Sequence, residues 1–357
     1  MTTDQGDDSM ARPAEQHPPA GREAAKTLVP PLLIGLTVLT LFLWIVGTAM
    51  HRPEPRDLPF GLVGPPQAVE QMEAQLDKKA PDALDITAYP DVETARAAVE
   101  DLEVYGAFAP GPQESTLIVA SGAGPVPKNF VTQAFGGVAQ QQGSQLTVDD
   151  VAPLPSGDPL ANVAFFALLS ATLASLVFQV VFYFRARGAG LGAWFGLSAA
   201  FSLLAGLIGA GLCDWAFNAY PGEFWSVTGV IALYTFTAVS IVAAFQVIGI
   251  PGIPLAVLLL VPFGVANSGG AVDRYFLGEP YHSFAEFVPS NAVVTGIRSV
   301  AYLDGAAVGV PLAVLTCWLL GSVTVVALGR LVTRRKGGEG VPVPAPRAAA
   351  ANTVPAD

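Results

Sequence analysis

The sequence predicts a polytopic α-helical membrane protein with six transmembrane helices and a small α/β extracytoplasmic domain. Three observations carry that expectation. Hydrophobic residues make up 52% of the 357 residues and charged residues only 13%, about half the charged share of a soluble protein. Uncharged apolar runs recur at the ~20-residue length that crosses a bilayer core. Between the first two runs lies a stretch whose pattern alternates between strand and helix, and which holds most of the negative charge.

Residues 1–27 lack apolar periodicity and are expected to form a disordered cytoplasmic tail. The first span is 28–50, with Trp44 near its outer end. Val46-Gly47-Thr48-Ala49 offers small residues where a signal peptidase could cut. The run exceeds the ~7–15 residues of a signal-peptide core, however, so an uncleaved anchor is expected.

Residues 51–158 have the size of a small domain. Leu58–Val63 reads as a strand, followed by a helix through Leu76. Leu84–Tyr89 alternates with period two and reads as a second strand. Asp91 is placed to cap a helix whose apolar face is Val92, Ala95, Ala98, Val99 and Leu102. Val104–Ala109 and Ser115–Ala120 read as strands around a Pro-Gly-Pro turn, Pro127–Gln142 as a helix and Leu146–Val151 as a last strand. This domain holds 16 Asp and Glu against 6 Lys and Arg, a net charge of 6 − 16 = −10. A solvated acidic surface accounts for that charge. A calcium site is the alternative, but no D-x-[DN]-x-[DN]-G loop is present.

Residues 159–332 form the membrane domain, with spans at 160–184, 191–212, 227–246, 250–266 and 308–328. Val227 to Val265 runs 39 residues without a charge. Gly249, Pro251, Gly252 and Pro254 split it into two helices. Residues 333–357 read as a second disordered tail. Arg12, Arg22 and Lys26, then Arg185 and Arg187, then Arg334, Arg335 and Lys336 all fall on one side if both termini are cytoplasmic. That orientation follows the positive-inside rule and puts 51–158 outside the plasma membrane.

Several chemistries are missing. There is no P-loop, no G-x-S-x-G elbow and no H-E-x-x-H helix. The spans carry no ionisable side chain in their interiors, which argues against a proton-driven pump. His17, His51 and His282 lie in a tail and two loops, and Cys213 and Cys317 read as packing residues. No catalytic residue, metal site or cofactor is expected. The formal charge of −11 argues against nucleic acid as a partner.

Between the fifth and sixth spans the chain reads Asn267-Ser268-Gly269-Gly270, a polar loop, and then Phe284-Ala-Glu-Phe-Val-Pro289 leading through Arg298 to Gly305. This segment, 284–302 at its centre, resembles ABC-2-type membrane proteins, in which a Ser-Gly-Gly turn leads into short outer helices and an Arg-bearing amphipathic helix. The large outer domain is similar to that of the phage-infection-protein (Pip-like) branch. There, a helix like Pro90-Asp-Val-Glu-Thr-Ala-Arg precedes a strand ending in a proline, here Pro110. Two departures are visible. No proline follows the Ser-Gly-Gly turn, and the outer domain lacks a long coiled insert.

The resemblance implies the transmembrane subunit of an exporter without its own ATPase. It would work as a homodimer with a separate P-loop ATPase docked on the loop of Arg185 and Arg187. The alternative is a non-transporting envelope protein whose outer domain acts as a receptor, scaffold or secretion-apparatus component. Physically, Gly269 or Gly270 permits a backbone reversal, and Ser290 or Asn291 after Pro289 can cap a helix. Val293, Val294, Ile297 and Val300 then share a face suited to the outer lipid interface. Arg298 is expected either to pair with Asp304 or snorkel, or to touch headgroups or an anionic substrate.

Overall fold

The computed structural model describes residues 20–186 and 188–338. Five helices are long and apolar enough to cross a membrane, which makes the chain a multi-pass membrane protein by length and composition. They belong to α1 (Ala20–Met50), α5 (Val163–Arg185), α6 (Leu191–Gly211), α7 (Phe224–Phe245) and α12 (Gly309–Gly338).

The helix read as the fifth span, 250–266, is shorter. It runs over Gly252–Ala266, about 22 Å at ~1.5 Å per residue against a ~30 Å core. Pro262 is the physical reason for its irregularity, because proline has no N–H to donate within a helix. The chain passes it in a π turn, Leu259–Phe263, between α8 (Gly252–Leu258) and α9 (Gly264–Ala266).

The two tails differ in part from expectation. Residues 20–27 are helical and continue α1, and residues 333–338 continue α12. Ala20, Arg22, Glu23, Ala24, Ala25 and Lys26 at one end, and Arg334, Arg335 and Lys336 at the other, are good helix formers. The rest of both tails, 1–19 and 339–357, lies outside the described residues.

The α/β domain follows the strand pattern closely: β1 (Leu58–Val63), α2 (Pro66–Lys79), β2 (Leu84–Tyr89), α3 (Val92–Glu100), β3 (Gly106–Ala109), β4 (Glu114–Val119), α4 (Pro125–Gln141) and β5 (Gln145–Asp150). The sheet order is β2-β1-β3-β4-β5, parallel except between β3 and β4. Asp91 caps α3 as the sequence requires, its carboxylate accepting from the Thr94 N–H at 2.8 Å. Val92 and Leu102 depart from the expected face. Val92 is exposed, and Leu102 lies past the helix end at φ 58.

Both faces of the sheet are covered, and both covers include residues from far along the chain. On the face of α2 and α4, Phe135 stacks on Phe60 and lies tilted against Phe108, and Tyr275 and Phe276 belong to the same apolar cluster. On the face of α3, Val99, Ala107 and Ile118 pack with Leu303. The segment between α9 and α12 therefore reaches into the α/β domain twice.

In the membrane domain α7 is the central helix, packed against α5, α6, α11 and α12. Here α11 is Pro289–Tyr302, preceded by α10 (Tyr281–Ala285). The expected helices of 284–302 thus form, but α11 is not laid in a lipid interface. Ser290 through Val294 and Gly296 through Ser299 are all buried, and Val293, Val294 and Ile297 belong to the bundle core with Leu168, Tyr234 and Ile241. No Ser290 or Asn291 cap forms, because Pro289 already occupies the first turn and Val288 is the N-cap.

The join of α10 to α11 dips into the bundle. Trp318 Nε1 donates to the Phe287 carbonyl at 2.8 Å. Trp318 stands nine residues into α12, roughly 14 Å along its axis.

Candidate functional site

Four of the residues named from the sequence, Ser268, Gly269, Gly270 and Arg298, meet where the α/β domain joins the bundle. Gly269 has φ 67, in the left-handed region that glycine takes without strain. The Ser268 hydroxyl accepts the Gly270 N–H at 3.2 Å and closes the turn. Gly270 cannot carry a side chain, since a Cβ there would lie 2.3 Å from the Phe165 ring on α5. Ser268-Gly269-Gly270 therefore seats the end of α9 against the first turn of α5.

Arg298, from the middle of α11, lies across this turn. Its Nη1 donates to the carbonyls of Gly269 at 3.0 Å and Ala123 at 3.5 Å. Nη2 donates to Ala161 at 3.1 Å and Gly270 at 3.4 Å. Four of its five N–H groups are thus directed at backbone oxygens, and only Nε is without a hydrogen bond. Arg298 is 3% exposed, which excludes both the snorkelling and the headgroup readings, and it makes no ion pair with Asp304. Ala161 has φ 51, a costly backbone for a residue with a Cβ. Its carbonyl is one of the four acceptors.

Asp158 completes the junction. Its carboxylate accepts the N–H groups of Asn162 at 2.8 Å and Val163 at 3.1 Å, capping α5. The Tyr302 hydroxyl, at the end of α11, donates to the same carboxylate at 2.7 Å. Tyr302 packs edge-on to Tyr220, with ring centroids 5.5 Å apart. Its Cβ lies so close to Gly122 that a Cβ there would approach to 2.5 Å.

Gly122 belongs to a 3₁₀ turn, Ser121–Ala123, which supplies an acceptor to Arg298. Asp150 holds that turn in place. It accepts from the Ser121 N–H at 3.0 Å and from the Ser121 hydroxyl, and pairs with Lys128 at 3.1 Å. Burial alone would raise the Asp150 carboxyl, but the Ser121 bonds and Lys128 outweigh it and hold it below 3.8. Asp273 shifts the other way: burial raises it above 3.8 despite the Tyr275 N–H and the charges of Arg298, Arg274 and His282.

Sequence reasoning missed Asp158, Tyr302, Ala161 and the turn at 121–123. Asp158 had a signal, because a carboxylate just before an apolar run is a helix-start residue. Of the other residues named from the sequence, Pro289 begins α11 apart from the Arg298 contacts. Arg185 is exposed in the last turn of α5, at the opposite end of the bundle. Arg187 lies outside the described residues. Cys213 is buried and Cys317 exposed. Among the described residues, no group of three or more His, Cys, Asp or Glu side chains is placed to hold a metal ion.

Comparison of the chain with protein-family models, with curated proteins and with solved structures finds no match in any of the three.

A buried cation and a buried carboxylate tie the α/β domain, the Ser-Gly-Gly turn, α5 and α11 together.

Proposed function

We propose that this chain is the membrane-embedded subunit of an ABC-2-type exporter, with 51–158 outside, both termini cytoplasmic and ATP hydrolysis supplied by a separate P-loop protein. The observation that carries this reading is the Arg298 junction. Through it, any shift of α5, α9 or α11 within the bundle must move the outer domain as well, and a transport cycle needs such a linkage. The dipping α10–α11 segment and the short, proline-broken α8–α9 helix, taken as the fifth of six spans, suit the same architecture.

A second reading is a non-transporting envelope protein whose outer domain is a receptor, scaffold or secretion-apparatus component. It is favoured by the linker between α5 and α6. That linker spans only residues 186–190 and contains Gly188 and Gly190, which weaken the docking helix an ATPase would grip.

Purification in mild detergent followed by mass spectrometry separates the two. A stoichiometric P-loop ATPase, lost when Arg185 and Arg187 are changed to Ala, is the expected outcome. A stoichiometric envelope protein held by 51–158, with no ATPase, would overturn the exporter reading. Orientation is tested independently with Cys317→Ser as background. Gln113→Cys should react with an impermeant thiol reagent in intact cells and Gly188→Cys should not.

A further inference from the structure

Two opposite charges meet at the junction without pairing. Asp273, just before the 3₁₀ turn Arg274–Phe276, is 7% exposed, and Arg298 is 3% exposed. Asp273 Oδ2 and Arg298 Nη1 lie 3.8 and 3.6 Å from the point where a Cβ on Gly124 would stand. They face one another across that glycine. Ion pairs form close by, Arg274 with Glu286 at 3.0 Å and Lys128 with Asp150 at 3.1 Å. Among the described residues, none joins Asp273 to Arg298. Buried opposite charges so placed ordinarily pair, because an uncompensated charge away from water is costly.

The two carboxyl oxygens have unequal duties. Oδ1 accepts the Tyr275 N–H at 3.1 Å and caps the 3₁₀ turn. Oδ2 makes no hydrogen bond among the described residues. A guanidinium keeps its charge at any working pH, so only the carboxyl can be neutral. A proton on Oδ2 leaves the cap intact and removes the claim on Arg298.

The bonds of Arg298 are unequal too. Gly269, Gly270 and Ala161 belong to the Ser-Gly-Gly turn and to the approach to α5. Ala123 alone belongs to the α/β domain, and its bond, at 3.5 Å, is the longest of the four. The nitrogen that makes it, Nη1, is the one that faces Asp273.

The charges acting on Asp273 are Arg274 beside it, His282 on α10 and Arg298 on α11. Tyr105, before β3, and Tyr275 are its other titratable neighbours. Arg274 is engaged by the Tyr275 hydroxyl at 2.7 Å as well as by Glu286. Burial outweighs these cations and the Tyr275 N–H, and pushes the carboxyl above 3.8.

We propose that Asp273 is a proton-operated switch on the junction. Neutral, it leaves Arg298 Nη1 on the Ala123 carbonyl; ionised, it takes that N–H for itself and frees the turn at 121–123. The arm of Arg298 stands on Ala123, as a neutral Asp273 requires. The clasp is complete in acid and gives way as pH rises from 3.8 through the raised value, the proton passing to solvent on the side of the α/β domain. The switch draws on the junction alone and stands whether or not the protein exports anything.

The test is nuclear magnetic resonance on the full-length protein in mild detergent, titrated between pH 3 and pH 8. One probe is the Arg298 guanidinium in protein labelled at arginine, identified by its loss in Arg298→Lys. The other is the Ala123 carbonyl carbon, read through the Gly124 nitrogen and identified by its loss in Ala123→Ser. Both signals should move together with one midpoint above 3.8. In Asp273→Asn, which keeps the acceptor for Tyr275 and cannot ionise, both should hold their acid positions throughout. His282→Gln should leave the transition in place. An Ala123 signal that ignores pH in the wild type overturns the switch, even if the Arg298 signal moves, since a charge has then appeared without any exchange of partner. A transition that survives Asp273→Asn, or one that His282→Gln abolishes, overturns it equally.

Discussion

Where the α/β domain joins the bundle, four N–H groups of Arg298 find four backbone carbonyls, and both oxygens of Asp158 are used. At the opposite end, an equally buried amide relay runs from Trp194, under the Arg330 guanidinium, through Gln179. It stops at Gln246 Nε2, which meets no acceptor among the described residues. The two regions have similar ingredients, a cation and neutral dipoles held by helix ends and tight turns. Their polar bookkeeping differs. A nearly satisfied buried network fixes one arrangement, whereas an incomplete one carries the desolvation cost of its last donor.

The comparison breaks most severely at Arg298. Arg298→Leu leaves four carbonyls without their donor at a site closed to water, each costing about 1–3 kcal/mol. A total loss of ~4 kcal/mol or more is expected, seen as a large fall in thermal midpoint in detergent and as new proteolysis near Asp158. Arg298→Lys should recover only part, because an ammonium cannot fork to both sides of the turn.

Next in size is crowding. Gly122→Ala drives a Cβ onto Tyr302 and Gly270→Ala drives one onto Phe165, each costing about 1–3 kcal/mol. Tyr302→Phe removes one hydrogen bond to a carboxylate, about 1.5–3 kcal/mol, and should lower the midpoint without changing the helix content measured by circular dichroism.

The acid dependence sharpens the contrast further. Asp150 is held below 3.8 in the folded state. Its contribution is therefore complete above 3.8 and lost as pH falls toward the lowered value. Asp273, raised above 3.8 by burial, has the opposite sign. It binds its proton more tightly when folded, so stability falls as pH rises from 3.8 through the raised value. Asp273→Asn should accordingly gain stability relative to the wild type as pH rises from 3.8 through the raised value, whereas Asp150→Asn should lose it as pH rises from the lowered value to 3.8 and stay level above. Midpoints measured from pH 2 to 8 would show the two variants departing from the wild type in opposite directions and in separate windows, and parallel curves would contradict the assignment. The smallest effect belongs to the far end. Gly188→Ala meets nothing within 4 Å and should change stability by less than about 0.5 kcal/mol.

Much of the α/β domain was legible because its signals are local. Leu84–Tyr89 alternates, Asp91 caps its own helix, and the Pro-Gly-Pro turn separates β3 from β4. The uncharged runs of the membrane helices are equally local. The fate of α11 was not legible. Its apolar residues mark one face, but its polar residues are buried too, against partners supplied by distant segments. Arg298 meets Ala123, 175 positions away, and Ala161, 137 away, and no periodicity encodes such pairings. The ends of the fifth expected span, 250–266, were also legible, but the π turn at Pro262 was not, because a hydropathy run does not register an irregularity inside the helix.

The double reach of the segment between α9 and α12 into the α/β domain also sets an order of assembly. A ribosome finishes β5 well before it makes Tyr275, Phe276 or Leu303, yet these residues belong to the two apolar clusters that cover the sheet. Until Tyr275 and Phe276 are made the domain has a gap on each face, and until Leu303 follows α11 one of the two stays open. The Thr48 hydroxyl near the end of α1 waits as long for Tyr281, 233 positions later. Residues made late thus close the first domain to be made, and a nascent chain interrupted before residue 275 would display sticky patches on both sides of its sheet.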